Sequence, residues 1–178
     1  MAKSQVQVAV VMGSRSDLKV MKFATTLLKE WGVGCVTQIV SAHRTPELLI
    51  GSVNLWHEQG IKVIIAGAGG AAHLPGMLAA MSYLPIIGVP VGSKAMNGLD
   101  SLLSIAQMPK GVPVATVAVD NSTNAALLAI QILSLQGGPT GAQLRKKMIM
   151  YKSQMHEAVE KQRRSLKRLG VDRFLKSF

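Results

Sequence analysis

Apolar strand-like segments and helix-like segments alternate five times along this chain, and no other feature limits the possible folds as strongly. The strand-like runs are rich in Val and Ile and fall at residues 6–12, 34–40, 62–66, 85–91 and 114–119. Continuous apolar runs are typical of strands buried on both faces, and no two neighbouring runs are joined by a short turn of the kind that signals a hairpin. The pattern predicts an α/β fold: a three-layer, doubly wound parallel sheet of the flavodoxin-like or Rossmann-like kind.

Helical periodicity fills the intervals between the predicted strands. It indicates helices over the ranges 18–31, 46–59, 99–106 and 125–135, and a further helix that follows a glycine-rich turn at 67–76 and ends near residue 81. The range 92–113 is the longest irregular segment, and long segments of this kind are often functional.

The Gly137-Gly138-Pro139 sequence divides the chain into a single predicted α/β domain, residues 1–136, and a C-terminal helical arm, residues 137–178. A helix is predicted from about residue 143 to residue 169. Because it is polar on most sides, it has little reason to fold alone. We therefore expect the arm to pack on neighbouring subunits of an oligomer.

The net charge of +11 is concentrated in the arm. Residues 143–178 carry 11 basic and 3 acidic side chains, whereas the rest of the chain is nearly balanced. A basic tail without interleaved aromatic residues is more typical of a solvated helix face than of a nucleic-acid interface, so no nucleic-acid partner is expected. A nucleotide- or nucleic-acid-binding module that uses this tail is the rival interpretation.

Cysteine content and hydropathy predict the compartment. The single cysteine, Cys35, excludes an intrachain disulfide and lies in a predicted strand, where a small buried side chain is expected. No secretory leader is recognisable in residues 1–7, and no apolar run is long enough to cross a membrane. We therefore expect a cytoplasmic protein without a membrane partner.

The segment Ser41-Ala42-His43-Arg44-Thr45-Pro46 places an imidazole, a guanidinium and two hydroxyls between a predicted strand and a predicted helix. In parallel α/β proteins such turns meet at the carboxyl edge of the sheet, where ligands bind. The alternative is that Ser41 or Thr45 caps the helix and that His43 and Arg44 are solvated loop residues.

Gly13-Ser14-Arg15-Ser16-Asp17 joins the first predicted strand to the first helix. Gly13 permits a close turn, Ser14 and Ser16 supply hydroxyls, and the helix N-terminus supplies free N–H groups, so the loop is typical of a phosphate site. Asp17 would repel an adjacent phosphate and is assigned to a sugar hydroxyl or to a helix cap. Plain capping is the alternative for the whole loop.

The third loop contains Gly67-x-Gly69-x-x-Ala72, which has the form of a dinucleotide-binding fingerprint. It follows the third strand instead of the first, and the next acidic residue is Asp100, too distant to hold a ribose. We therefore expect a glycine path, including Gly69 and Gly70, against which a flat ring can lie. His73 stands beside it, although a hydrogen-bonded structural role is the common alternative for such a histidine.

Parallel strands bring these three loops to one edge, so His43 and His73 are expected in one cleft, where imidazoles can transfer protons near neutral pH. No Cys/His cluster and no paired carboxylates accompany them, so neither a metal nor glycosidase chemistry is predicted. His57 and His156 lie on predicted helix faces, where surface roles are expected.

The same segments closely resemble the class I 5-(carboxyamino)imidazole ribonucleotide mutases, which act in bacterial purine synthesis. The resemblance extends over residues 6–135. It is carried by Met12-Gly13-Ser14-x-Ser16-Asp17, by Ser41 to Pro46, by Ala66 to Gly76, and by Gly88-Val89-Pro90-Val91, Asn97 to Ile105, Gln107-Met108-Pro109 and Asn124 to Ala129.

The resemblance implies an isomerase that moves a carboxyl group from the exocyclic nitrogen of an aminoimidazole ribonucleotide to ring carbon C4, without any cofactor. His43 would serve as general acid and then general base, and the 93–113 loop would cover the site. Substrate-binding positions would be Gly13, Ser14, Ser16, Asp17, Ser41, Ala42, Arg44, Gly69, Gly70, His73 and Leu74. A homo-octamer embraced by C-terminal arms is also implied.

Direct carboxylation of aminoimidazole ribonucleotide (AIR) by carbon dioxide is the alternative reaction. The carboxylase branch typically has Lys at the position of Arg44 and lacks the sequence His73-Leu74-Pro75-Gly76, so both features favour the mutase. Two features depart from the family pattern: residues 120–123 replace a usually glycine-rich stretch, and the basic tail is long.

Overall fold

The computed structural model describes residues 6–177, and its first compact unit, which ends at Leu133, contains a five-stranded parallel sheet. The strand order is β2-β1-β3-β4-β5. The strands are β1 (Val6–Met12), β2 (Gly34–Ile39), β3 (Val63–Gly69), β4 (Ile86–Val91) and β5 (Ala115–Thr116). The predicted doubly wound parallel sheet is confirmed, and the order is that of the flavodoxin-like fold.

Helices connect the strands and cover both faces of the sheet. They are α1 (Leu18–Glu30), α2 (Pro46–Glu58), α3 (Leu74–Met81), α4 (Leu99–Ala106) and α5 (Ser122–Ser134), and a 3₁₀ turn, Arg15–Asp17, precedes α1. Side chains of α2, α3 and α4 form one core cluster with Ala9 and Val11 of β1. On α1, Met21, Ala24 and Leu28 are also buried.

The central strands are buried on both faces, as their continuous apolar runs predict. Residues 8–12 of β1 and 63–66 of β3 have no exposed surface, and Val10 pairs with Ile65 in the parallel register. Trp56 of α2 is 1% exposed and closes one side of this core. Full burial of a Val, Ile or Leu side chain contributes roughly 1.5–3 kcal/mol, so these strands form a rigid base for the loops at their carboxyl ends.

Two predicted strand boundaries are wrong at the sheet edge that carries the loops. Strand β3 continues to Gly69, where a turn was expected, because residues 67–69 pair with residues 89–91 of β4. A Cβ on Gly67 would lie 2.4 Å from the sulfur of Met21, so any larger residue there would have to displace that buried side chain. Strand β5 is shorter than predicted: beyond Thr116, the N–H groups of Val117 and Asp120 still donate to β4 carbonyls, but the regular ladder has ended.

Two predicted helix starts are also wrong. Helix α5 begins at Ser122 because the Asn121 side chain accepts a hydrogen bond from the Asn124 N–H at 2.9 Å and so caps the helix. Helix α6 begins at Gly138 instead of residue 143. Pro139 lies in its first turn, where backbone N–H groups make no hydrogen bond within the helix, so the absence of an N–H on proline costs nothing.

The second compact unit, residues 134–177, consists of the 32-residue helix α6 (Gly138–Leu169) and the short helix α7 (Val171–Leu175). An exposed ion pair joins Glu160 to Arg163 at 3.0 Å, and apolar side chains such as Met155 and Val159 are also exposed on α6. Within residues 6–177, no helix combines the length and the apolarity that crossing a bilayer requires.

Candidate active site

A cleft of about 390 Å³ opens at the carboxyl edge of the sheet, where the loops after β1, β2, β3 and β4 converge. Every site residue predicted from the sequence lies in its lining: Gly13, Ser14, Ser16, Asp17, Ser41, Ala42, His43, Arg44, Gly69, Gly70, His73 and Leu74. Three separate stretches of the chain are therefore brought together around one space, as the parallel topology requires.

His43 and His73 are hydrogen-bonded to each other inside this cleft. Nε2 of His43 lies 2.8 Å from Nδ1 of His73, and the ring planes meet at 84°. One of these two nitrogens donates and the other accepts, so the contact accommodates a single proton. Both side chains are exposed toward the cleft. The pair can therefore hold one transferable proton beside a bound molecule.

Arg44 links the second loop to the first. Its Nη2 donates to the Gly13 carbonyl at 2.9 Å, and its Nε donates to the Ser41 hydroxyl at 3.2 Å. The Ser41 side chain is nearly buried, so it supports the guanidinium from below. This arrangement fixes a positive charge at the rim of the cleft, beside the serines of the first loop.

Asp17 stabilises the first loop from within. Its carboxylate accepts hydrogen bonds from the Ser14 N–H at 3.0 Å and from the Ser16 hydroxyl at 3.1 Å, and the side chain is 7% exposed. Of the two roles expected for Asp17, this geometry is that of the helix cap, although the residue also lines the cleft.

The glycine turn after β3 forms another wall of the cleft. Gly70 has a φ of +66°, a conformation that glycine adopts without strain, and a Cβ at this position would meet open space. The turn therefore presents main-chain atoms to the cleft, and this suits the predicted contact with a flat ring. His73 follows directly, at the N-terminus of α3.

The loop after β4 was expected only as a cover over the site from residue 93 onward, and its place in the cleft wall was not predicted. Val91, Gly92 and Ser93 line the cleft, and the Gly92 N–H donates to the Asp120 carboxylate at 2.8 Å. Asp120 has a φ of +57°, which is uncommon for a residue other than glycine. The signal was present, because β4 is a predicted parallel strand whose carboxyl end must reach the same edge.

The other titratable side chains singled out in the sequence lie outside the cleft. His57 is hydrogen-bonded to the Ser82 hydroxyl at 2.8 Å and stacks on Tyr83. Cys35 is half-buried in β2, and burial raises the pKa of its thiol. In the part of the chain that the structure describes, no three His, Cys, Asp or Glu side chains are grouped as a metal site would need.

Comparisons with known proteins place the chain among proteins of one family. The AIR carboxylase family model matches residues 7–158. An N5-carboxyaminoimidazole ribonucleotide mutase of Pyrococcus horikoshii is 52% identical over 94% of this chain and 93% of its own length. A chloroplastic phosphoribosylaminoimidazole carboxylase of Vigna aconitifolia is 52% identical over 94% of this chain but only 29% of its own length.

Solved structures share the fold as well. The crystal structure of Treponema denticola PurE matches with a TM-score of 0.76 and 28% identity, covering 87% of this chain and 97% of that one. The matching region of the family model includes every loop of the cleft. The chain therefore belongs to the AIR carboxylase family.

Proposed function

We propose that this protein is an N5-carboxyaminoimidazole ribonucleotide mutase of purine biosynthesis, an enzyme that works without a cofactor. The observation that carries the proposal is the hydrogen-bonded pair of His43 and His73 in a cleft walled by glycines, in a chain half identical to a protein named as this mutase. The cleft supplies an imidazole for proton transfer, main chain for a flat ring and a cationic rim for a phosphate.

The proposed reaction begins with loss of carbon dioxide from the exocyclic nitrogen. The N–C bond of the carbamate breaks, its electron pair stays on nitrogen, and protonated His43 supplies the proton that nitrogen then needs. Carbon dioxide remains in the cleft beside an electron-rich ring. The 93–113 segment, which begins at Ser93 in the cleft lining and includes helix α4, is our candidate for the cover that retains the carbon dioxide.

The second half of the reaction forms the new bond. Ring carbon C4 attacks carbon dioxide and becomes tetrahedral, and neutral His43 removes the C4 proton to restore aromaticity. The imidazole ends as it began, so one residue serves both steps and no external acid is consumed. The hydrogen bond between His43 and His73 keeps the His43 ring oriented while its protonation changes.

Substrate binding is assigned to the loops around this pair. Arg44, with Ser14 and Ser16, is proposed to bind the phosphate, since all three line the cleft and the Arg44 side chain is hydrogen-bonded to Gly13 of the loop that carries the two serines. The remaining contacts are proposed for Gly13, Asp17, Ser41, Ala42, Gly69, Gly70, His73 and Leu74.

Direct carboxylation of aminoimidazole ribonucleotide is the second candidate, because the similar Vigna protein is named as a carboxylase. The two reactions differ in substrate. Purified protein is given either the carbamate without bicarbonate, or aminoimidazole ribonucleotide with increasing bicarbonate. Rapid conversion of the carbamate alone supports the mutase, whereas turnover that requires bicarbonate supports the carboxylase and contradicts our proposal.

Assembly and location are further proposals. We propose a cytoplasmic homo-octamer in which residues 137–178 form an arm that packs on neighbouring subunits, and no nucleic-acid or membrane partner. The length of α6 and its exposed apolar side chains support the arm. Light scattering that shows a monomer at micromolar concentration would contradict it.

A further inference from the structure

Ser101, a buried serine on α4, connects two walls of the cleft without lining it. Its side chain has no exposed surface. The hydroxyl donates to the Val91 carbonyl at 2.7 Å and accepts from the Gly70 N–H at 2.8 Å. Val91 ends β4, and Gly70 begins the turn after β3, so one hydroxyl bridges the ends of two adjacent strands.

The Gly70 amide has particular need of such a partner. It belongs to the peptide between Gly69 and Gly70, which has no side chain on either side to restrict its rotation. Strand pairing ends at this point, with Gly69 opposite Val91 as the last pair of the β3–β4 ladder. The hydrogen bond to Ser101 therefore fixes the direction of a peptide that neither sterics nor the sheet would fix.

Neighbouring residues hold Ser101 in place from its own helix and from the loop after β4. The Asp100 carboxylate accepts from the Ser101 N–H at 2.9 Å and from the Ser93 hydroxyl at 2.8 Å. A hydrogen bond from the Ser93 hydroxyl also holds the pKa of Asp100 below its usual range. The charge on Asp100 thus ties the first turn of α4 to the loop that lines the cleft.

We propose that Ser101 is a positioning residue, which orients the Gly69–Gly70 peptide so that the glycine wall matches the flat ring of the substrate. The expected effect of Ser101 on substrate binding rests on the function proposed above. Its effect on the orientation of the Gly69–Gly70 turn does not. Substrate affinity is expected to depend on Ser101 more than the chemical step does, because the proton-transferring pair is built from other residues.

The test uses the full-length protein with Ser101→Ala, with Ser101→Thr, which keeps the hydroxyl, and with Ser122→Ala as a matched control. Ser122 is equally buried and its hydroxyl donates to the Val20 carbonyl, but it is not among the residues that line the cleft. Three properties are measured for each variant: the rate of hydrogen exchange at the Gly70 amide, the melting temperature, and the steady-state constants KM and kcat.

The expected result is that Ser101→Ala speeds exchange at the Gly70 amide about tenfold or more and raises KM about tenfold with a smaller change in kcat. Ser122→Ala should lower the melting temperature by a similar amount without either effect, and Ser101→Thr should restore slow exchange. Unchanged exchange at Gly70 in Ser101→Ala would overturn the proposal. It would also be overturned if Ser122→Ala changed the exchange rate and KM as much as Ser101→Ala does. If exchange responds but no mutase activity exists in the parent protein, the proposed function fails and the positioning of the turn stands.

Discussion

Removal of the His73 imidazole tests whether His73 only orients His43 or transfers a proton itself. The structure gives His73 one defined interaction with His43, a hydrogen bond of 2.8 Å. A hydrogen bond of this kind contributes about 0.5–1.5 kcal/mol, and about 1.4 kcal/mol corresponds to a factor of ten in rate. If His73 only orients His43, His73→Ala should lower kcat about two- to twelvefold.

Loss of the general acid and base itself should cost far more. Proton transfer by a positioned side chain raises the rate roughly 10²–10⁴-fold, so His43→Asn should lower kcat by a factor in that range. His73→Asn offers a rescue, because its amide can take the place of Nδ1 and restore a hydrogen bond to His43. His57→Ala is a matched control, since it removes a ring with a hydrogen bond of equal length that lies outside the cleft.

The assay is conversion of the carbamate at saturating concentration, followed by absorbance of the carboxylated product. The reasoning predicts near-parental kcat for His57→Ala, a modest loss for His73→Ala and partial recovery in His73→Asn. A loss in His73→Ala as large as that of His43→Asn would refute it, because His73 would then transfer a proton itself. No loss at all would show that the hydrogen bond has no part in turnover.

Three other substitutions test the cationic rim of the cleft, the packing of β4 and the first turn of α4. Arg44→Lys keeps the charge but loses the planar fork that joins two loops, so KM should rise about tenfold in steady-state assays, and an unchanged KM would contradict the assignment. Gly88→Ala places a Cβ 2.4 Å from Ile105, and urea unfolding should show a loss of about 1–3 kcal/mol. Asp100→Asn removes a carboxylate whose pKa is lowered in the folded protein. The parent should therefore be the more stable at neutral pH, and the difference in unfolding free energy should begin to shrink as pH falls below about 4 and continue to shrink through the lowered pKa of Asp100; a pH-independent difference would rule this out.

The sheet could be predicted from the sequence because its evidence is local and repeated. Each central strand is a run of apolar residues, and burial on both faces demands such runs. The boundary of β3 was missed because glycine has no strand propensity of its own. Gly67 to Gly69 are strand residues only because β4 lies beside them, and this is tertiary information.

The residues of the cleft could be predicted together because parallel strands bring three loops to one edge. Their pairing could not be predicted: nothing in the spacing of His43 and His73 fixes a hydrogen bond between rings 30 positions apart. Ser101 was also missed as a site element. Its position on a helix reads as a solvated or capping serine, and only the packing of α4 brings its hydroxyl between Gly70 and Val91.

The most direct test of the whole account compares turnover with binding in His43→Asn. Titration calorimetry measures the affinity for the carboxylated product, and the carbamate assay measures kcat, in the parent and the variant. The account predicts that kcat falls at least a hundredfold while the dissociation constant stays within a few-fold of the parent value. Near-parental turnover in His43→Asn would contradict the central claim that this imidazole carries the proton.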